Sequence, residues 1–514
     1  MLLLVLLLLS FWLTPNHSLI PSTKQTQTSH NPIPMNQQHI AMSAADDDAR
    51  PYDPAPPMSA LVFCGEHQQA GAAAAAPSGG RPVAFTTAAQ RPAVLRPLDA
   101  VVRVSVAGVC GSDLHCAWHC LERGLADGTV VGHEAVGVIV ALGAAAAAAG
   151  AAAAAAGDGG GHGSPPPRPP LQIGDRVFVP FTASCGTCGP CARGDTCRCL
   201  SSRLFGWRDA SAAGDESESA AHQRHEPQLH GCQAQYVRVP MAPSTLLRLP
   251  PLVQGGGNGG GGGAPAPAPD ELGVLLGDIL STAFFCARQG GVGERTRSVA
   301  VVGCGPVGLL AVLAAKHESK GRARVVAIDG VAERRAMAVS AMGADAAVAP
   351  GDLEAARRAL AGGGGGDGGG GGDGAGAEPP GADVVLELVG GDSGRPDGPL
   401  RLAFDLLRPA GVLASQGVHT GSAWPWTPVE AYDKNLTFRA GRCPARRVAA
   451  ELLEELFGPA AAASPAAAAA SAELVSRALK VITHRLPMSQ GPEAYEAFAA
   501  RRDGVVKVVL DPWR

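Results

Sequence analysis

Apolar positions along this chain fall into short runs with two different periods. Met58-Ser-Ala-Leu-Val-Phe-Cys64, Ala100–Val109 (AVVRVSVAGV), residues 130–142 and residues 173–181 alternate, or stay apolar, over strand lengths. They predict one β-rich unit. Further on, residues 297–344 read strand, glycine turn, helix, strand, and are followed by a β-rich run at 382–389, a helix at 400–407 and a strand at 411–417. That alternation predicts a parallel, doubly wound sheet with helices on both faces, so the fold class is α/β. Residues 486–512 read as loop, helix and a closing strand that returns to the first unit.

Ala/Gly/Pro blocks interrupt this pattern at 143–170, 209–230, 255–269, 361–380 and 459–472. The chain's 68 glycines and 42 prolines are concentrated there, so the bias belongs to insertions and not to the fold. Loop closure becomes costlier only slowly with length, and poly-alanine without an apolar stripe has no face to dock, so these blocks are expected on the surface. Residues 1–57 open with MLLLVLLLLSFWL, a run of signal-peptide length that is too short to span a bilayer. It lacks a basic flank, no small-x-small site follows it closely, and 14–57 is polar and Pro-rich. The expectation is a disordered arm or an upstream start, with a targeting peptide as the alternative, and folding that begins near Met58. Without the arm and the blocks roughly 350 residues remain, enough for two domains.

Composition narrows the function. The hydrophobic fraction of 46% supports full cores, and a net charge of -4 offers neither a basic field for nucleic acid nor a polybasic membrane patch. Small-molecule chemistry is the default. Thirteen cysteines, several of them closely spaced, suit metal-binding thiolates in a reducing compartment, and so a cytoplasmic protein, better than a secreted disulfide framework.

Val299-Ala-Val-Val-Gly303-Cys-Gly305-Pro306-Val307-Gly308 is an apolar strand entering GxGxxG and then a helix. Such a turn admits a pyrophosphate to the helix N-terminus: Gly303 for the turn, Gly305 for close backbone approach, Gly308 for helix packing. Asp329 ends the next strand 21 residues after Gly308, where it would accept bonds from ribose hydroxyls and repel a 2'-phosphate, favouring NAD over NADP. A ligand-free glycine turn, or a site for FAD or S-adenosylmethionine, are the competing readings. Cys185, Cys188, Cys191 and Cys199 then follow the spacing C-x2-C-x2-C-x7-C, which suits a closed tetrahedral zinc. Cys197 rivals Cys199 as fourth ligand, and ordinary loop cysteines or an iron–sulfur cluster are the other readings.

Gly108-Val-Cys110-Gly-Ser112-Asp113-Leu-His115 and Gly132-His133-Glu134-Ala-Val-Gly137 precede both motifs. In this order the set resembles the medium-chain, zinc-containing alcohol dehydrogenase family across nearly all of the chain from Met58 to Trp513. The resemblance implies a GroES-like β-rich catalytic domain at 58–280, a Rossmann NAD-binding domain at 281–443, and a segment at 444–514 that returns to the catalytic domain. It further implies that Cys110 and His133 bind a catalytic zinc, with the third ligand in residues 276–282, here Asp278. Glu134 is a neighbouring or exchanging ligand, Ser112 and His115 occupy the proton-relay positions, and Asp113 orients its neighbours. Lys507 lies where the family often has a basic residue for the pyrophosphate, or else is a solvated edge-strand lysine. Two zinc ions per chain, NAD, a small alcohol or aldehyde substrate, and a homo-oligomer (dimer or tetramer) follow by the same resemblance.

Residues 231–237, the Asp278 segment and residues 428–435 look nearest to glutathione-independent formaldehyde dehydrogenase-like members. Ala283-Phe284-Phe285 after Thr282, and a longer interval between Cys110 and His133, depart from many relatives at the substrate pocket. The expected activity is hydride transfer between an alcohol, or an aldehyde hydrate, and NAD. A polyol dehydrogenase of the same family and a non-enzymatic dinucleotide-binding regulator are the alternatives.

Overall fold

The computed structural model describes residues 51–64, 82–118, 125–148, 169–207, 229–250, 269–362 and 381–514. Most of the arm and of four of the Ala/Gly/Pro blocks lies outside the described residues. The first unit is built on Ala100–Val109, a strand buried along its whole length except at Arg103. Residues that apolar on both faces need covering on both sides, and the strand sits inside a seven-stranded sheet ordered Ile482–Pro487, Lys507–Asp511, Ala100–Val109, Ala135–Leu142, Arg176–Val179, Leu247–Arg248, with Tyr236–Val239 also paired to Ala100–Val109. An antiparallel hairpin, Pro57–Phe63 with Val83–Gln90, joins this unit through isolated bridges from Ala60 to Ala234 and from Val62 to Val130.

The second unit is a six-stranded parallel sheet ordered Ala346–Val348, Arg324–Ile328, Ser298–Val302, Ala382–Glu387, Leu407–Ser415, Thr437–Ala440. Numbered along the chain, the order is 3-2-1-4-5-6, that of a doubly wound dinucleotide-binding sheet. No helix among the described residues is long and apolar enough to cross a membrane.

Two consecutive helices, Asp270–Gly277 and Ile279–Gln289, connect the units. Leu272, Val274, Leu275 and Leu276 of the first pack on the Ala135–Leu142 and Arg176–Val179 strands, while Ile279, Leu280, Ala283 and Phe284 of the second face Pro306–Glu318. One hydrophobic cluster therefore runs through both units.

Three expectations change. Residues 459–472 were expected as a surface insertion, but Pro465–Leu479 is a helix, capped by the Ser464 side chain on the Ala467 N–H and docked through buried Leu474 and Ala478. The alanines form its first half, and its last turns supply the apolar face that the alanine run lacks. Second, the segment 444–514 does not return as one piece. Ala445–Phe457 and Pro465–Leu479 pack against the connecting helices and Pro306–Glu318, and the chain joins the first sheet only from Ile482. Third, residues before Met58 belong to the folded unit, because the Tyr52 ring lies 5.2 Å from that of Tyr236 and its hydroxyl donates to the Pro92 carbonyl.

A buried ion pair fixes the entry into the central strand. Asp99 accepts from Arg238 Nη1 at 2.9 Å and from the Leu95 and Arg96 N–H groups, and the two side chains are 1% and 6% exposed. Removing one member of such a pair strands the other's charge in the interior. Asp99→Ala is expected to lower stability by about 3–5 kcal/mol, read from denaturant unfolding of the full chain.

Candidate metal centres and cofactor crevice

Strand register assembles the first centre. In the antiparallel pairing Ala107 opposes Ala135 and Val109 opposes Val508, so the end of Ala100–Val109, the start of Ala135–Leu142 and the start of Lys507–Asp511 meet at one point. Cys110, His133, Glu134 and Lys507 are the residues at those ends. Asp278 arrives from the other side, at the break between the connecting helices, where φ -146° and ψ -83° end one helix and begin the next. Ligand-capable atoms of Cys110, His133, Glu134 and Asp278 all lie within 4.8 Å of one another.

Orientation comes from a ring of hydrogen bonds. Asp113 Oδ1 lies 2.9 Å from His133 Nδ1, which turns Nε2 inward to within 3.1 Å of Asp278 Oδ2, while Cys110 Sγ is 3.4 Å from the same oxygen. The other Asp113 oxygen accepts from the Cys110 N–H at 2.9 Å. One carboxylate thus holds both the imidazole, as metal-ligating histidines commonly are held, and the Cys110 backbone. Thr282 Oγ1 donates to Asp278 Oδ1 at 3.2 Å.

The ionisable groups of this pocket set one another's charge. Burial raises the Cys110 thiol, reinforced by Asp278 and Glu134, and burial raises the Glu134 carboxyl to about 7 although Lys507 pulls it down. His133 is held well above its ordinary range, because the adjacent Asp113 outweighs the effect of burial. Glu134 Oε1 is buried without any partner. Two acids, a thiol and an imidazole packed together, with an orphaned carboxylate oxygen among them, are a donor set that fits a divalent zinc ion.

The second centre is a loop of four sulfurs. Cys185, Cys188, Cys191 and Cys199 have their Sγ atoms within 4.8 Å of one another. Backbone N–H groups point at the sulfurs: Cys185 N–H to Cys199 at 3.2 Å, Cys188 N–H to Cys185 at 3.4 Å, Ser201 N–H to Cys199 at 3.3 Å. Burial raises the Cys185 thiol, but bonds from Thr187 and Cys188 outweigh it and bring it to about 6, so a thiolate is favoured there. Cys197, its rival at the sequence level, turns away and donates from Sγ to the Arg442 carbonyl at 3.1 Å. Four converging sulfurs fit a closed tetrahedral zinc.

The glycine turn lies at the carboxyl edge of the parallel sheet. Gly303 sits at φ +91°, and a side chain on Gly308 would place its Cβ 1.7 Å from the Gly303 carbonyl oxygen. Gly305 has open space beside it and caps Pro306–Glu318, whose first residues are Pro306 and Val307. A phosphate could reach the free N–H groups of that helix. Asp329 closes the turn, with Oδ2 accepting from the Cys304 N–H at 2.6 Å and Oδ1 from the Val331 N–H at 2.7 Å. A carboxylate offers about four acceptor sites, so ribose hydroxyls remain within its capacity.

Ser112 and His115 stand three residues apart on Gly111–Trp118 and so share a face, with Ser112 Oγ 3.8 Å from Cys110 Sγ. Lys507 needs correction. Its strand lies between two others in the sheet, its side chain is 0% exposed, and Nζ donates to Glu134 and to the Val109 carbonyl. It is neither a solvated edge lysine nor free for a pyrophosphate, because the buried Glu134 carboxylate needs a counterion there. Sequence reading also missed Gln233, whose Nε2 donates to the Gly108 carbonyl and to Asp113 Oδ2 while its Oε1 accepts from the buried Tyr495 hydroxyl. Its only signal is a glutamine inside an apolar stretch.

Comparison with known proteins agrees with the two-unit fold. Residues 96–251 match the alcohol dehydrogenase GroES-like domain, and residues 306–457 match the zinc-binding dehydrogenase domain. The chain is 31% identical over 417 residues to zinc-type alcohol dehydrogenase B of Aspergillus flavus, covering 80% of this chain and 75% of that one. It is 33% identical over 383 residues to the medium chain reductase/dehydrogenase ucsI of an Acremonium species, covering 73% and 98%. Among solved structures, the alcohol dehydrogenase TADH from a Thermus species aligns with a TM-score of 0.60 at 29% identity, covering 88% of this chain and 99% of that one.

Two substitutions separate the roles of the paired loop cysteines. Elemental analysis of purified protein is expected to give about two zinc ions per chain for Cys197→Ser and about one for Cys199→Ser. In the crevice, Gly308→Ala is expected to abolish NADH binding measured by fluorescence titration, since helix and turn cannot both keep their places.

Proposed function

Because this chain belongs to the zinc-type, medium-chain alcohol dehydrogenase family, we propose that it oxidises a small alcohol, or a hydrated aldehyde, with NAD as hydride acceptor. One observation carries the reading: Cys110, His133 and Asp278 converge in a buried cluster on the connection that leads directly into the sheet bearing the glycine turn. Three protein donors leave a fourth position open to substrate. A zinc ion held there supplies Lewis acidity toward an alcohol oxygen, and the nicotinamide supplies the hydride acceptor.

The chain's own residues do the rest. Asp113 holds the His133 ring and the Cys110 backbone, so neither donor has to be ordered when substrate arrives. Ser112 Oγ accepts the substrate's hydroxyl proton as it gives up its own, which passes through the cofactor ribose to His115. Lys507 keeps the Glu134 carboxylate paired beside the ligands without occupying the open position. Asp329 favours a free ribose 2'-hydroxyl over a 2'-phosphate, which supports NAD as the cofactor. The protein works in the cytoplasm as a homo-oligomer in this reading.

The test is NADH formation at 340 nm across primary alcohols, polyols and aldehydes, with NAD and NADP compared for each. Cys110→Ala is expected to lower kcat/KM roughly 1000-fold, the effect of several kcal/mol of lost Lewis-acid stabilisation, with the fold intact by circular dichroism. Full activity in that variant would sink the zinc reading, and NADH binding without turnover on any substrate would favour a regulator.

A further inference from the structure

A second buried cluster, outside the metal centres, lies along the same carboxyl edge as the glycine turn. Glu387 ends the Ala382–Glu387 strand directly opposite Val302, the residue before Gly303, and on its other side it opposes Ser415 at the end of Leu407–Ser415. Its carboxylate is 0% exposed and fully engaged. Oε1 accepts from the Val389 and Gly390 N–H groups, both at 2.8 Å, and Oε2 accepts from Ser415 Oγ at 2.6 Å. His419 Nε2 lies 2.7 Å from Ser415 Oγ and 3.4 Å from Glu387 Oε2.

These bonds tie together two loops. Residues 388–391 follow one strand and 416–419 the next, and they are cross-linked by Gly391 N–H to the Val418 carbonyl at 2.7 Å and Thr420 N–H to the Gly391 carbonyl at 3.0 Å. Each loop presents a valine to solvent at this edge, Val389 at 44% and Val418 at 42% exposure. Burying a carboxylate is a costly way to join two loops, and an apolar pair would hold them at less expense. The charge serves to fix backbone positions to within hydrogen-bond tolerance, at the end of the crevice opposite Asp329. Burial opposes the ionised state of Glu387 and loses to the bonds from His419, Ser415 and Gly390.

In a sheet of this order a dinucleotide lies across the carboxyl ends, one half over the strands before the switch point and the other over those after it. Asp329 belongs to the adenosine side; Glu387 and Ser415 lie one and two strands past the glycine turn on the other. We infer that the Glu387–Ser415–His419 network positions the nicotinamide-bearing half of the cofactor, by locking the 388–391 and 416–419 loops into the floor on which that half rests. The inference rests on the dinucleotide reading above. Glu387 touches no reacting atom and acts through the loops.

Binding of NADH and of ADP, which lacks the nicotinamide and its ribose, separates this role from a general one in folding. Titration calorimetry on the full chain with Glu387→Gln is expected to show NADH affinity lower by about 10-fold or more, the worth of a hydrogen-bonded charge, with ADP affinity unchanged. Ser415→Ala and His419→Gln should shift the same ratio in the same direction, and they carry the test if Glu387→Gln does not fold. Equal losses for both ligands, or no loss for either, would overturn the proposal. Wild-type protein that bound neither ligand would instead overturn the dinucleotide reading.

Discussion

Asp278 is placed where two buried helices would otherwise be one. On either side of it Leu276 and Ile279 are in the core, the first against the seven-stranded sheet and the second toward the parallel one. A polar residue caught between such neighbours needs partners, and it finds them in His133, Cys110 and Thr282. The chain break, the junction of the two units and the donor set are therefore one feature. Packing on both sides holds the carboxylate where the strand ends deliver the sulfur and the imidazole, and none of these could shift without the others.

Around that point the protein handles charge in layers. Asp113 braces His133, Gln233 braces Asp113, and Tyr495 braces Gln233, so the inner donors are held by residues that are themselves held. On the opposite side Lys507 and Glu134 form a fully buried pair. The four-cysteine loop follows a different rule, drawing its bonds from its own backbone. Sulfurs held by their own loop suit a structural ion, and a centre braced from several strands and a helix suits one that must hold geometry while a substrate comes and goes.

Legibility followed distance along the chain. The glycine turn and the cysteine loop are local, so spacing alone revealed them, and the alternation of strands and helices showed the parallel sheet. Asp278 was reached only through resemblance to a family, because nothing near it in the sequence speaks of metal. Lys507 was misread, since its partners Glu134 and Val109 lie hundreds of positions away and a lone lysine in an apolar strand looks the same whether it faces water or a carboxylate. Glu387 went unnoticed although it bears the mark that singled out Asp329, an acid closing an apolar strand. Residues 459–472 read as an insertion because the docking face of the helix Pro465–Leu479 is confined to its last turns, beyond that block.

The bond from Lys507 to the Val109 carbonyl spans 398 residues. During synthesis the strand Ala100–Val109 leaves the ribosome long before its neighbour Lys507–Asp511 exists, and every block of the parallel sheet must be made in between. Pairings that distant form slowly, and the exposed edge of a waiting strand invites wrong partners. The parallel sheet, whose contacts are closer in sequence, can be complete while the other unit is still open along one side. Chaperone dependence should therefore centre on the metal-bearing half of the chain, and ions supplied during translation would meet the cysteine loop well before the pocket at Cys110 has its last wall.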